Sequence, residues 1–177
     1  IWLRSESSIT RTPPKIDKLK ETYLETIEKM ASGEGPWCAG IADEENFNKE
    51  QLIEKVNHAY NCINLELDMK KAVSDADLII ESMAENPKDK IAFYKTLAPL
   101  LPEKTVIVTN SSTLLPSEFA KYTGRPEKYL SLHFANSIWK NNTAEIMAQS
   151  MTDRKYFDEI MQFSNDIRMI ALPVLKE

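Results

Sequence analysis

The sequence predicts an α/β fold: a doubly wound, mainly parallel sheet with helices on both faces. Two observations carry this. Short runs of apolar, largely β-branched residues, such as Leu78-Ile79-Ile80 and Val106-Ile107-Val108, recur along the chain, and between them lie stretches whose apolar residues fall three or four apart. The strand runs are continuously apolar rather than alternating, which is how strands read when both faces of their sheet are covered.

Taken in order, the chain opens on Ile1-Trp2-Leu3, read as a strand. Pro13-Pro14 then lead into Ile16, Leu19, Tyr23, Leu24, Ile27 and Met30, spaced as one face of an amphipathic helix. The segment from Ser32 to Asn48 holds three of the four glycines with Pro36 and Trp37, and reads as a long surface loop before a second helix near Glu50. Ile63, Leu65 and Leu67 alternate as in a short strand over Asn61 to Leu67, and a short helix covers Met69 to Val73. From there strands over 76–81, 105–109, 129–134 and 169–175, with Ala144-Glu145-Ile146-Met147 a further strand-like run, are separated by helices over 87–101, 116–122 and 153–167. Ligands of such sheets bind beyond the carboxyl ends of the strands, so the residues just past each strand are the ones that matter for function.

Composition narrows the classes of partner. The 177 residues, 42% hydrophobic, suffice for one domain with its own core. Lys and Arg number 22 against 27 Asp and Glu, and the net charge of -5 provides no basic field, so no nucleic acid partner is expected. No apolar run approaches the roughly 20 residues of a membrane span, and no membrane partner is expected either. Cys38 and Cys62 stand far apart, outside any Cys-x-x-Cys spacing; they support no metal site and fit a reduced, cytoplasmic protein. Opening inside one strand and stopping at the end of another, the chain reads as an internal piece of a longer protein.

Two polar clusters fall at strand ends: Asn110-Ser111-Ser112-Thr113 after one strand, and His133-Phe134-Ala135-Asn136 at the end of the next. Glu145 follows between Ala144 and Ile146, a setting in which a buried carboxylate would need a partner, and His133 is the candidate. Taken singly, a strand-end histidine is more often structural than catalytic, and Asn-Ser-Ser also makes turns and helix caps. Lys90 taken singly is a solvated helix lysine, and His58 lies in a charged helix with no role assigned.

With Asp77-Leu78-Ile79-Ile80-Glu81, Glu85-Asn86 and Thr123-Gly124-Arg125-Pro126 in the same order, these clusters resemble the 3-hydroxyacyl-CoA dehydrogenase family from about Asn61 onward. Residues 110–136 with Asn141-Asn142-Thr143-Ala144-Glu145 look closest to the branch that reduces β-diketo esters. The resemblance implies a Rossmann-type, nicotinamide-dependent oxidoreductase. It makes His133 the general base that takes the proton of the substrate's 3-hydroxyl, Glu145 the carboxylate that orients it, and Ser112 a hydrogen-bonding partner of the reacting oxygen. Asn110, Ser112 and Asn136 are implied near the nicotinamide, and Glu85 and Lys90 near the cofactor's ribose and phosphates. The family also implies a small-molecule substrate, an acyl-CoA or β-keto acid derivative, and a homodimer formed through a C-terminal domain that lies outside this chain.

The chain departs from that pattern in three places. A dinucleotide fold should begin with a strand and a Gly-x-Gly-x-x-Gly turn, and none is present; Gly33 and Gly35 follow a helix, and Cys38 stands at the third position. Ile1-Trp2-Leu3 therefore matches the second strand, and residues 1–177 are expected to form a dinucleotide-binding domain lacking its first β-α unit, about 25 residues. Where an acid usually meets the adenosine ribose, the chain has Leu3-Arg4-Ser5; Arg4 can take a 2′-phosphate, so the cofactor is NAD or NADP. The family's Phe-Phe-Asn-Pro is Phe134-Ala135-Asn136-Ser137, which leaves open whether the substrate carries CoA. Three readings follow: a 3-hydroxyacyl-CoA dehydrogenase, a reductase of free β-keto or β-diketo acids and esters, or a catalytically silent binding relative.

Overall fold

A pair of antiparallel helices dominates one part of the chain. The computed structural model describes residues 1–177, and Ile1–Asp68 with Trp139–Asn141 form the first of two units. Here a short helix α1, Glu6–Arg11, precedes α2, Pro13–Ser32. Proline opens α2, where its missing N–H costs nothing, and Gly33 closes it at φ 72, a left-handed conformation that glycine adopts without strain. Helix α3, Lys49–Asn61, starts at Asn48, whose side chain accepts the Gln51 N–H at 2.9 Å. Between them Ile27, Met30, Cys38, Ile41 and Ala42 form a buried core, flanked by Tyr23, Leu52, Val56 and Trp139.

The two strands expected in this unit shrink to one bridge. Trp2 pairs in parallel with Glu66, through Leu3 N–H to the Glu66 carbonyl at 2.8 Å and Glu66 N–H to the Ile1 carbonyl at 2.9 Å. Two short strands that meet only each other gain too little ladder to extend further.

The second unit, Met69–Ile138 with Asn142–Glu177, contains the sheet. Its elements are α4 (Met69–Val73), β1 (Leu78–Glu81), α5 (Pro87–Leu97), β2 (Val106–Thr109), β3 (Tyr129–Phe134), β4 (Thr143–Ala148), α6 (Arg154–Asp166) and β5 (Ile170–Val174). The helix expected to reach Leu101 ends in a tighter 3-10 turn at Ala98–Leu100, and the one expected over 116–122 resolves into two such turns. The strands lie in chain order, β1 to β5. Neighbours run parallel except β3 and β4, which are antiparallel. Only residues 135–142 join β3 to β4, too few for the crossover of a dozen or more residues that a parallel pair requires.

Successive side chains of a strand point to opposite faces, and both faces here are covered. Ile107 and Tyr129 pack with Val73, Tyr94, Leu97 and Phe119 on one side. Val106, Val108, Leu130, Leu132 and Ile146 pack with Ile160 and Met169 on the other. Thr123-Gly124-Arg125-Pro126, a motif of the resemblance, is structural. Gly124 sits at φ 71, where a side-chain Cβ would come within 3.1 Å of Ala98 Cβ. The Arg125 guanidinium donates to the carbonyls of Leu101, Pro102 and Thr105, tying this corner to the start of β2. No helix is long and apolar enough to cross a membrane.

Candidate active site

Where the antiparallel pair ends, the register places His133 of β3 directly opposite Glu145 of β4. Side chains so opposed lie within reach of one another, and His133 Nδ1 meets Glu145 Oε2 at 3.2 Å. On the other side of the ring, Nε2 lies 3.1 Å from Ser112 Oγ, delivered by the turn after β2. A carboxylate only accepts, so the bond to Glu145 calls for the proton on Nδ1, and a neutral ring held that way turns its Nε2 lone pair toward Ser112.

One expectation is corrected here. Glu145 is not buried: it alternates with the inward-facing Ala144 and Ile146 and projects from the opposite face, with 56% of its side chain exposed. The neighbours' apolarity describes the other face of the strand. The pairing with His133 comes from cross-strand register and not from a demand for charge compensation.

Ser112 is itself exposed, but the residues on either side of it are pinned. Glu85 Oε2 accepts from Ser111 Oγ at 2.6 Å and from Thr113 Oγ1 at 2.8 Å. Burial pushes the Glu85 carboxyl upward, yet these two hydroxyls and the nearby Lys90 charge outweigh it and hold the group below its ordinary value. Lys90 Nζ lies 3.8 Å from Glu85 Oε1.

Lys90 has no exposed surface. Its ammonium sits on both oxygens of Glu81, at 2.9 and 2.8 Å, and Glu81 also accepts from Tyr94 OH and Thr109 Oγ1, each at 2.8 Å. Tyr94 OH in turn lies 3.0 Å from Tyr129 OH. Burial, with the Glu81 charge adding to it, raises both phenols well above their ordinary range and keeps them neutral. Glu81, Tyr94, Thr109 and Tyr129 are the residues that sequence reasoning passed over. A signal was present: a glutamate closing an apolar strand needs a cation if water cannot reach it, and Lys90 stands in the first turn of the next helix.

The remaining expected residues are more dispersed. Asn110 is half-buried, and its Oδ1 accepts the backbone N–H of Phe134 at 2.9 Å. Asn136 is exposed, two residues past the end of β3. Arg4 belongs to the first unit, exposed, between Leu3 and the Ser5 that precedes α1.

Known proteins share this arrangement of elements. The family described as 3-hydroxyacyl-CoA dehydrogenase, NAD binding domain, matches residues 20–177. The 3-hydroxybutyryl-CoA dehydrogenase of Clostridioides difficile is 29% identical over 165 residues, which is 93% of this chain and 53% of that protein. Human mitochondrial hydroxyacyl-coenzyme A dehydrogenase is 30% identical over 156 residues, 88% of this chain and 46% of its own length. Among solved structures, a diketoreductase studied for dual catalysis of dicarbonyl compounds superposes with a TM-score of 0.80 at 34% identity, covering 99% of this chain and 55% of that one. The chain thus spans about half the length of the relatives it matches.

Proposed function

The chain belongs to the family of 3-hydroxyacyl-CoA dehydrogenase NAD-binding domains, and from that premise we propose that it serves an oxidoreductase interconverting a 3-hydroxy and a 3-keto group on an acyl-CoA or related β-hydroxy acid derivative. The observation that carries the reading is the unbroken chain Ser112–His133–Glu145, with 3.1 and 3.2 Å links at the carboxyl end of the sheet.

The residues present fit the nicotinamide half of the cofactor. Glu85, Ser112, His133 and Asn136 all follow or close the carboxyl ends of β1, β2 and β3, the edge at which doubly wound sheets hold dinucleotides. NAD, when bound, supplies or accepts the hydride at the substrate's C3. His133 Nε2 takes the hydroxyl proton in the oxidative direction and returns it to the alkoxide in the other. Glu145 keeps the neutral ring in the tautomer that leaves Nε2 free, and its charge favours the imidazolium that forms. Ser112 Oγ shares its hydrogen bond between that nitrogen and the reacting oxygen. This intact relay supports an active enzyme over a silent relative.

A second substrate reading has its own support. The diketoreductase likeness, at 34% identity, and the departure at Phe134-Ala135-Asn136-Ser137 favour free β-keto or β-diketo acids and esters. Steady-state kinetics of the intact protein with acetoacetyl-CoA and with a β-diketo ester separates the two. Turnover of neither, with correctly folded and cofactor-loaded protein, overturns both.

The pyrophosphate cradle is proposed to belong to a β-α unit outside these residues. β1 pairs on one side only, with β2, and Ile80 is 43% exposed, which leaves an edge suited to a further strand. Arg4 is proposed to meet a 2′-phosphate, so that NADP is used beside NAD; Arg4→Asp is expected to move the preference toward NAD, as read from kcat/KM for the two cofactors. The unpaired Cys38 and Cys62 support a cytoplasmic location. A homodimer, formed through a C-terminal domain outside these residues, is also proposed.

A further inference from the structure

β2 and β3 run side by side only as far as Thr109, which lies opposite Ser131. Beyond that point the strands part. β2 turns away into Ser111-Ser112-Thr113, whereas β3 continues through Leu132, His133 and Phe134 with β4 holding its other edge. On the side that β2 has vacated, the Phe134 N–H would be a half-buried donor without a carbonyl to receive it. Asn110 fills that place: its Oδ1 accepts the Phe134 N–H at 2.9 Å, while its own N–H donates to the Glu81 carbonyl at 2.8 Å. One side chain thus continues the ladder by a step after the backbone has left it, and links the ends of β1, β2 and β3.

We propose that Asn110 is a positioning residue for the His133–Ser112 pair, acting through the Phe134 backbone, and not through contact with cofactor or substrate. The fork between β2 and β3 must open for Ser112 to reach round to the imidazole, yet β3 must stay straight for His133 to remain opposite Glu145. A carbonyl on a side chain satisfies both demands. Asparagine is the shortest residue that offers a neutral acceptor at this reach, and serine in its place stops short of the Phe134 N–H. The inference rests on His133 being the proton-transfer group, but its structural half does not.

The test compares Asn110→Ala, Asn110→Ser and Asn110→Asp in the intact protein, by hydrogen exchange at the Phe134 amide, by the nitrogen resonances of the His133 ring, and by kinetics. The alanine and serine variants should exchange the Phe134 proton about 5- to 150-fold faster, the range for orphaning a buried donor. Both should lose the single Nδ1–H tautomer and lower kcat about tenfold or more with unchanged KM for the dinucleotide. Asn110→Asp keeps an acceptor at the same reach and should restore the Phe134 protection and the ring signature. If Phe134 exchange is the same in all four proteins, the proposal is wrong. If instead the aspartate fails alongside the others and the dinucleotide KM rises in every variant, Asn110 is a cofactor contact. Faster exchange with an unaltered His133 ring also overturns it, and because that measurement needs no turnover, its outcome holds even if His133 is not the base.

Discussion

Two polar chains lie along the sheet, and each is built around a glutamate, Glu81 closing β1 and Glu145 near the start of β4; they differ in what water can reach. Glu81 closes β1 in the interior with its oxygens filled by Lys90, Tyr94 and Thr109. Glu145 stands on β4 at the surface with a single partner, the His133 ring. Removing a charge from water costs several kcal/mol unless every lone pair finds a donor, so the buried glutamate is committed to its neighbours and has nothing left to offer a reagent. The exposed one keeps its hydration and can answer a charge that appears on the imidazole. The same residue type therefore fixes the scaffold in one place and, in the proposed function, serves chemistry in the other, and burial decides which.

If that contrast holds, substitutions in the two chains should be read by different instruments. The largest effect is expected at His133→Gln, which should lower kcat roughly 100- to 10,000-fold, the range for a positioned general base, with the melting temperature nearly unchanged. A large fall in melting temperature with kcat preserved would reverse the contrast.

Next comes Lys90→Met, which strands the Glu81 carboxylate in the interior and should cost about 3 to 5 kcal/mol of unfolding free energy in chemical denaturation. Glu81→Leu combined with Lys90→Met should not regain that loss, because the Tyr94 and Thr109 hydroxyls and the Met83 N–H then lose the acceptor they share. A single variant as stable as the parent would show that the buried pair does not hold the scaffold.

Glu145→Gln, which keeps the shape and removes the charge, should lower kcat by about 10- to 150-fold, the worth of one charge-assisted hydrogen bond. The double variant with His133→Gln should be little worse than His133→Gln alone, since the two act as one unit. Multiplicative losses would separate them.

The smallest effect concerns Glu85, which stands between the two chains in exposure. Its folded-state pKa is depressed, so its contribution is present above the ordinary carboxylate value of 4.5 and is lost as pH falls through the lower folded value. The melting temperatures of the parent and Glu85→Gln should differ by a constant amount at neutral pH and converge in acid below that range. A gap that widens in acid would contradict the sign.

The contrast also explains what could be read without a structure. β3 and α4 fall where the pattern puts them, because long apolar runs and charged spacing are local signals. His133, Ser112 and Glu145 were legible through the order of their motifs, although Glu145's exposure was not: its apolar neighbours face the other way. The antiparallel turn between β3 and β4 was open to arithmetic on the connection length, but the periodicity of β4 is the same in either direction. Illegible was the company Glu81 keeps. Tyr94, Thr109 and Tyr129 come from three other elements, and their convergence is a property of packing, for which no spacing along the chain stands as a sign. The strands expected at Ile1 and Asn61 failed for a similar reason, since a strand lengthens only with neighbours on the ladder.

The antiparallel junction of β3 and β4 carries one more implication, for how such a protein can diversify. His133 and Glu145 sit on the ladder itself, so backbone hydrogen bonding keeps them opposed. Residues 135–142 leave and rejoin the sheet beyond that pair. Insertions, deletions and substitutions in this excursion can reshape what lies near the base without shifting the base against its carboxylate. The proton transfer proposed for this pair would be inherited with the hairpin, while the molecule it is applied to stays open to change.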